Sequence, residues 1–296
     1  MSGEAIGRIE AVFRNAGVTG FLHAIDVDSG REIGIRDGDP VVLASVFKVP
    51  LLVAFYRQAA AGLLDPTEPV TLPPGGRTDG PTGVSVMLDE VRMSLRDLCY
   101  LMIAVSDNTA ADLLFARVGQ EAVDAAIAAL GLRRTRVDGD ARRLHDLLLR
   151  DAGVDSLGEL WPRLDEPGLL PSLRVLDPAH TSASTPKEMT RLLSLIWRDE
   201  AGTPEDCEQM RRLLGLQVWP HRLSSGFPYD DVRVSGKTGT LPTLRIEIGV
   251  VEYPDGGRYA VAVFTRSLLP VAVLPEADAA IGTTARLAIE ALRRPT

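Results

Sequence analysis

The stretch Leu244-Arg245-Ile246-Glu247-Ile248-Gly249-Val250-Val251-Glu252-Tyr253, then Pro254-Asp255-Gly256-Gly257, then Arg258-Tyr259-Ala260-Val261-Ala262-Val263-Phe264-Thr265 decides the architecture of this 296-residue chain. Both long runs are apolar and β-branched, and the Pro-Asp-Gly-Gly step between them is turn chemistry, so together they read as a hairpin. Val232–Gly236 just upstream is a third strand-like run. At the other end of the chain, 20–27 and 32–36 are two more, joined by Asp28-Ser29-Gly30-Arg31. Outside the strands, 4–16 has Ile6, Ile9, Val12 and Phe13 at helical spacing, and 275–293 is an Ala/Leu helix. Between them, 45–62 is apolar and helix-forming, 66–83 is an irregular crossing rich in Pro, Gly and Thr, and 84–214 is dominated by helical periodicity. Within it, Thr185, Pro186 and Glu188 form a capping-box signature. Strands from both ends can share one antiparallel sheet only if the middle loops out. The expected fold is therefore α+β: a five-stranded antiparallel sheet flanked by N- and C-terminal helices, with residues 1–65 and 215–296 forming one domain and 66–214 an inserted all-helical domain.

Composition narrows the function. Apolar residues make up 45% and charged residues 24%, an ordinary globular balance, and no apolar run reaches the roughly 18 residues of a membrane span. Lys and Arg number 32 against 40 Asp and Glu, a net charge of −8. That speaks against nucleic acid and anionic membrane as partners. Cys99 and Cys207 supply no disulfide framework, and His23, His145, His180 and His221 show no ligand spacing, so neither metal nor cofactor is expected. The first residues alternate charged with apolar and lack a secretory leader, so the sequence as written predicts a cytoplasmic protein.

Three short motifs carry the chemistry: Ser45-Val46-Phe47-Lys48, Ser106-Asp107-Asn108 and Lys237-Thr238-Gly239-Thr240. A lone SxxK means little, and Ser184-Thr185-Pro186-Lys187 is a decoy that helix capping explains. Context separates the two. Ser45 sits where the extended run Val41-Val42-Leu43-Ala44 meets an apolar helix, so its hydroxyl is exposed at a helix start, and Lys48 follows one turn later on the same face. A lysine beside apolar surface and a second cation loses its proton readily and can take one from serine. Ser106 can pass a proton to a leaving group and Asn108 can donate to a substrate carbonyl, whereas Asp107 reads as a helix cap. Lys237 is the second cation. Gly239 lets an extended substrate approach a strand closely, and the Thr240 N–H can join that of Ser45 as an oxyanion pair. Thr238 and Arg245 are candidates for binding a substrate carboxylate, with Arg245 reading equally as a surface strand residue.

In this order, SxxK, SDN and KTG resemble class A β-lactamases and related penicillin-recognising serine enzymes. Ser182-Ala183-Ser184-Thr185-Pro186-Lys187-Glu188-Met189 is similar to the helix start that follows that family's Ω-loop. The resemblance runs from about residue 20 to 293. It implies a β-lactamase/transpeptidase-like fold, an Ω-loop-like segment at 161–185, and acylation of Ser45 by a strained or activated carbonyl without metal or cofactor. The departures lie in that segment. The family's ExxLN loop holds a deacylating water, but here Leu164-Asp165-Glu166-Pro167-Gly168-Leu169-Leu170 puts Leu170 where Asn is expected. About 25 extra residues precede it. Glu166 is thus a candidate general base and equally an exposed loop carboxylate.

These features predict a serine acyl-enzyme hydrolase or acyltransferase acting on an ester, amide or lactam. An intracellular esterase or transacylase fits best, in a setting such as natural-product biosynthesis, with a small-molecule acyl donor and an amine or water as acceptor. The alternatives are a true class A β-lactamase and a penicillin-binding acyl trap that does not turn over.

Overall fold

Five strands form one antiparallel sheet: β1 (Val18–Asp26), β2 (Glu32–Ile35), β3 (Arg233–Leu241), β4 (Leu244–Glu252) and β5 (Arg258–Ser267), in the spatial order β2-β1-β5-β4-β3. The sheet thus joins the two ends of the chain through the β1–β5 pairing, which runs from Val18↔Ser267 to Asp26↔Tyr259. The computed structural model describes residues 2–267 and 273–294. Local chemistry makes each hairpin. Asp26 Oδ1 accepts the N–H groups of Asp28 (3.0 Å) and Ser29 (3.1 Å) to close the β1–β2 turn, and Gly256 supplies the φ of 89° that the β4–β5 turn needs. Strand β3 extends past the expected Val232–Gly236 run and carries Lys237-Thr238-Gly239-Thr240 along the sheet edge.

Helices Ser2–Asn15 and Pro275–Arg293 cover one face of the sheet, burying Ile9, Phe13, Leu22, Val261, Val263, Ile281 and Ile289 in one core. The other face, with Ile246, Ile248, Ala260, Ala262 and Phe264, continues into a larger core shared with the helical block. That block comprises Lys48–Ala60, Leu95–Ala104, Asn108–Val118, Gln120–Ala129, Ala141–Ala152, Pro186–Trp197 and Pro204–Gly215, with single helical turns between 157 and 176. It is not purely helical: Pro69–Leu72 pairs with Val91–Ser94, and Val41–Val42 with Ala183–Ser184. Four-residue strands are too short to announce themselves as periodicity, so the sequence reading placed them in a crossing and a helical region. The capping box is also only half realised. Thr185 accepts the Glu188 N–H (3.1 Å), but the Glu188 carboxylate binds the Arg134 N–H and the Thr135 hydroxyl.

Candidate active site

Residues Ala44–Phe47 form a turn of 3₁₀-helix that runs into the α-helix Lys48–Ala60. The helix was expected to begin at Ser45; the tighter turn begins one residue earlier and ends at Phe47. With three residues per turn, i and i+3 are eclipsed, so Ser45 and Lys48 lie on one side. Ala44 enters this turn at φ 44° and Ser106 sits at φ 64°, so two of the five non-glycine residues of positive φ among the described residues flank the proposed chemistry.

Lys48 is fully buried. Its Nζ donates to Ser106 O (2.7 Å), Asn108 Oδ1 (2.8 Å), Asp107 O (3.3 Å) and Ser106 Oγ (3.4 Å). Burial pushes this amine down to about 7 against the opposing pull of Asp107 and Asp112, so near neutral pH it exists in both protonation states. The turn bearing Ser106 is itself fastened down. Asp107, fully buried, caps the helix Asn108–Val118 by accepting the Ala110 N–H (3.1 Å), and also takes the Val84 N–H (2.5 Å) and the Ser85 hydroxyl (3.0 Å). Asn108 spends one amide hydrogen on Asp79 O (2.8 Å).

From the sheet edge, the buried Nζ of Lys237 donates to Ser106 Oγ (2.9 Å) and Thr238 O (2.8 Å). Burial and the charge of Lys48 push the Lys237 amine well down. The Ser106 hydroxyl therefore lies within reach of both lysines. Thr238 N–H points away from β4 and donates to Gln217 Oε1 (2.6 Å), and by the period-two alternation of a strand the Thr240 N–H faces the same free edge. Gln217 is held in turn by Glu247, which accepts its amide (2.6 Å) and the Leu223 N–H (2.7 Å). Burial raises the Glu247 carboxyl to about 7.

The cavity at this junction measures about 360 Å³ and is lined by Ser45, Ser106, Asn108, Thr238 and Thr240 on its polar side. Other candidates fall elsewhere. A Cβ on Gly239 would meet Leu43 O at 2.9 Å and Ala44 Cβ at 3.3 Å, so the missing side chain makes room for the Ser45 turn rather than for a substrate. Arg245 is neither on the surface nor at the cavity: it is buried and donates to Leu241 O (3.1 Å) and Leu244 O (2.9 Å). The guanidinium at the cavity belongs to Arg222, which no sequence motif marked. It donates to Gly239 O (2.9 Å), Ile246 O (3.0 Å), Thr240 Oγ1 (2.9 Å) and Asp278 Oδ1 (2.6 Å). Glu166 is half exposed and paired with Arg163 through contacts of 2.9 Å and 3.1 Å, outside the cavity lining, and the arginine holds its carboxyl below the usual range. Among the described residues no group of three or more His, Cys, Asp or Glu is placed to hold a metal ion, and no helix is long and apolar enough to cross a membrane.

Comparison with known proteins agrees with this layout. Residues 5–292 match the model of the "Beta-lactamase enzyme family". The chain is 31% identical over 305 residues to "Beta-lactamase regulatory protein BlaB" of Streptomyces cacaoi, covering 94% of each. Its structure is similar to that of a β-lactamase from Sphaerobacter thermophilus (TM-score 0.77, 26% identity, 99% and 98% of the two chains). It is also similar in fold to a β-lactamase from Chitinophaga pinensis (TM-score 0.81, 20% identity, 98% and 100%).

Proposed function

This chain belongs to the beta-lactamase enzyme family, and from that premise we propose that it forms a covalent acyl-enzyme on Ser45 with an ester, amide or lactam donor. The observation that carries the reading is the Ser106 hydroxyl, 2.9 Å from Lys237 Nζ and 3.4 Å from Lys48 Nζ, in a cavity that Ser45 shares. In the reaction, neutral Lys48 takes the proton of Ser45 Oγ as that oxygen attacks the carbonyl carbon. The N–H groups of Ser45 and Thr240 receive the oxyanion. As the tetrahedral adduct collapses, Ser106 gives its proton to the leaving group and regains one from a neighbouring ammonium, Lys48 or Lys237. A labelled β-lactam or fluorophosphonate should add one adduct mass on the peptide containing Ser45, and Ser45→Ala should remove it. Labelling that persists in the variant overturns the proposal.

The second half of the reaction is where this chain differs from a fast hydrolase. Glu166 is tied to Arg163 and Leu170 stands where the water-holding Asn is expected, which supports a long-lived acyl-enzyme resolved by another acceptor. An esterase or transacylase fits this best. The likeness to a regulatory protein favours one second reading, a sensor that is acylated and not released. Mass spectrometry after mixing with excess donor separates them: an adduct that decays faster on adding amines supports transfer, and one that persists under all acceptors supports the sensor. Rapid turnover of a chromogenic cephalosporin that vanishes in Glu166→Gln would instead make the chain a true β-lactamase.

A further inference from the structure

Part of the cavity is built by the segment 141–161, which lies between the Ser106-Asp107-Asn108 turn and the loop bearing Glu166. On the helix Ala141–Ala152, Leu144 and Leu148 are four residues apart and so share a face; both line the cavity, joined by Leu157 and Trp161. Phe47 and Trp219 add ring surface from other elements. No carboxylate, lysine or arginine of 141–161 lines the cavity. One polar atom in this wall, His145 Nε2, is buried and has no hydrogen-bond partner. The wall is anchored rather than loosely draped. Asp112 Oδ1 accepts the N–H groups of Ala141 (2.8 Å) and Arg142 (3.2 Å), Asp140 caps the helix through the Arg143 N–H (2.9 Å), and Arg163 reaches back to Ala152 O (3.2 Å).

Such a surface gains most from covering apolar area, and the whole cavity, its polar side included, measures about 360 Å³ against the roughly 150 Å³ in which an apolar cavity accepts a benzene ring. We propose that Leu144, Leu148, Leu157 and Trp161 form an acyl-group subsite, selecting donors whose acyl part is a medium-length aliphatic chain or an aryl ring. The proposal rests on the acylation of Ser45 and specifies what is delivered there. The apolar segment lies along the wall while its carbonyl reaches Ser45.

The test is a series of p-nitrophenyl esters from acetate to octanoate. Each added methylene should raise kcat/KM, or the acylation rate constant if turnover is slow, by roughly 2- to 4-fold until the wall is filled. Trp161→Ala and Leu144→Gln, both at half-buried positions, should cut the octanoate-to-acetate ratio at least about 5-fold. A flat series in the wild-type protein, with the Ser45 adduct still seen by mass, overturns the subsite and leaves the acyl-enzyme standing. If neither an ester nor the labelled β-lactam or fluorophosphonate modifies Ser45, the acyl-enzyme reading fails and binding alone judges the wall. In Ser45→Ala, octanamide should quench tryptophan emission where acetamide does not, and Trp161→Ala should weaken octanamide binding. Equal responses to the two amides overturn the subsite whatever the chemistry.

Discussion

The cavity has two sides built by different physics. Around Ser106, position is set by short directional contacts: Lys48 and Lys237, both fully buried, converge on one hydroxyl, and strand β3 is held in place through Thr238, Gln217 and Glu247. Along 141–161, the lining is apolar side chains apart from His145, and the one carboxylate expected to do chemistry in the neighbouring loop, Glu166, is paired with Arg163 outside it. Buried charges demand partners at fixed distance, so a substitution on the first side leaves a charge or donor stranded. Apolar contacts are many, individually weak and tolerant of shape. In the proposed reaction the polar side sets whether Ser45 is acylated, and in the proposed subsite the apolar side sets which donor it takes.

Substitution should expose this asymmetry in a graded series. Ser45→Ala should abolish covalent labelling, read by intact mass; any residual adduct would relocate the nucleophile. Lys48→Ala should slow acylation by about 10²-fold or more, measured by stopped flow with a chromogenic donor. In the unaltered protein that same rate should climb about tenfold per pH unit below 7 and level off above it, because only the neutral Lys48 amine, with its value near 7, can accept the proton. A rate independent of pH from 5.5 to 8.5 would assign the proton to another group.

A fourth measurement probes the support behind the polar side. The Glu247 carboxyl lies near 7 in the folded protein against an ordinary 4.5, so the unfolded chain releases this proton first as pH rises. Its contribution to stability is fully present below about 4.5 and is lost as pH climbs through 7, a swing of about 3 kcal/mol. Glu247→Gln, a mimic of the protonated form, should flatten the fall in urea midpoint between pH 5 and pH 8. The smallest effect belongs to the other side: Glu166→Gln should change the rate of adduct decay by less than about 2-fold. A tenfold change there would erase the distinction between the two sides.

How far the sequence could be read follows the same division. The convergence of Lys48 and Lys237 on the Ser106 hydroxyl, in a cavity that Ser45 lines, was legible because chemistry fixes the types of those residues and local geometry fixes their spacing. The hairpins were legible from Pro-Asp-Gly-Gly and Asp-Ser-Gly-Arg steps between alternating runs. Arg222 was not, since its contacts lie on β3, β4 and the last helix, far along the chain. Nor was the burial of Arg245, whose alternation in β4 is consistent with either face. The wall at 141–161 was not legible, because a cavity lining is a property of packing. Gln217 lies in an irregular segment and could have been singled out only by asking which residue covers the free N–H of Thr238.

Ala44 and Ser106 both hold a left-handed backbone that a side chain disfavours by about 1–2 kcal/mol. Glycine at either position would relieve that tension, so the simplest routes to a hardier protein run through the two turns that carry the hydroxyls of the proposed reaction. Selection for heat resistance and selection for reactivity then pull on the same two peptide units in opposite directions. A lineage keeping both has to find its extra robustness elsewhere, in the sheet or the outer helices, and leave these two kinks wound.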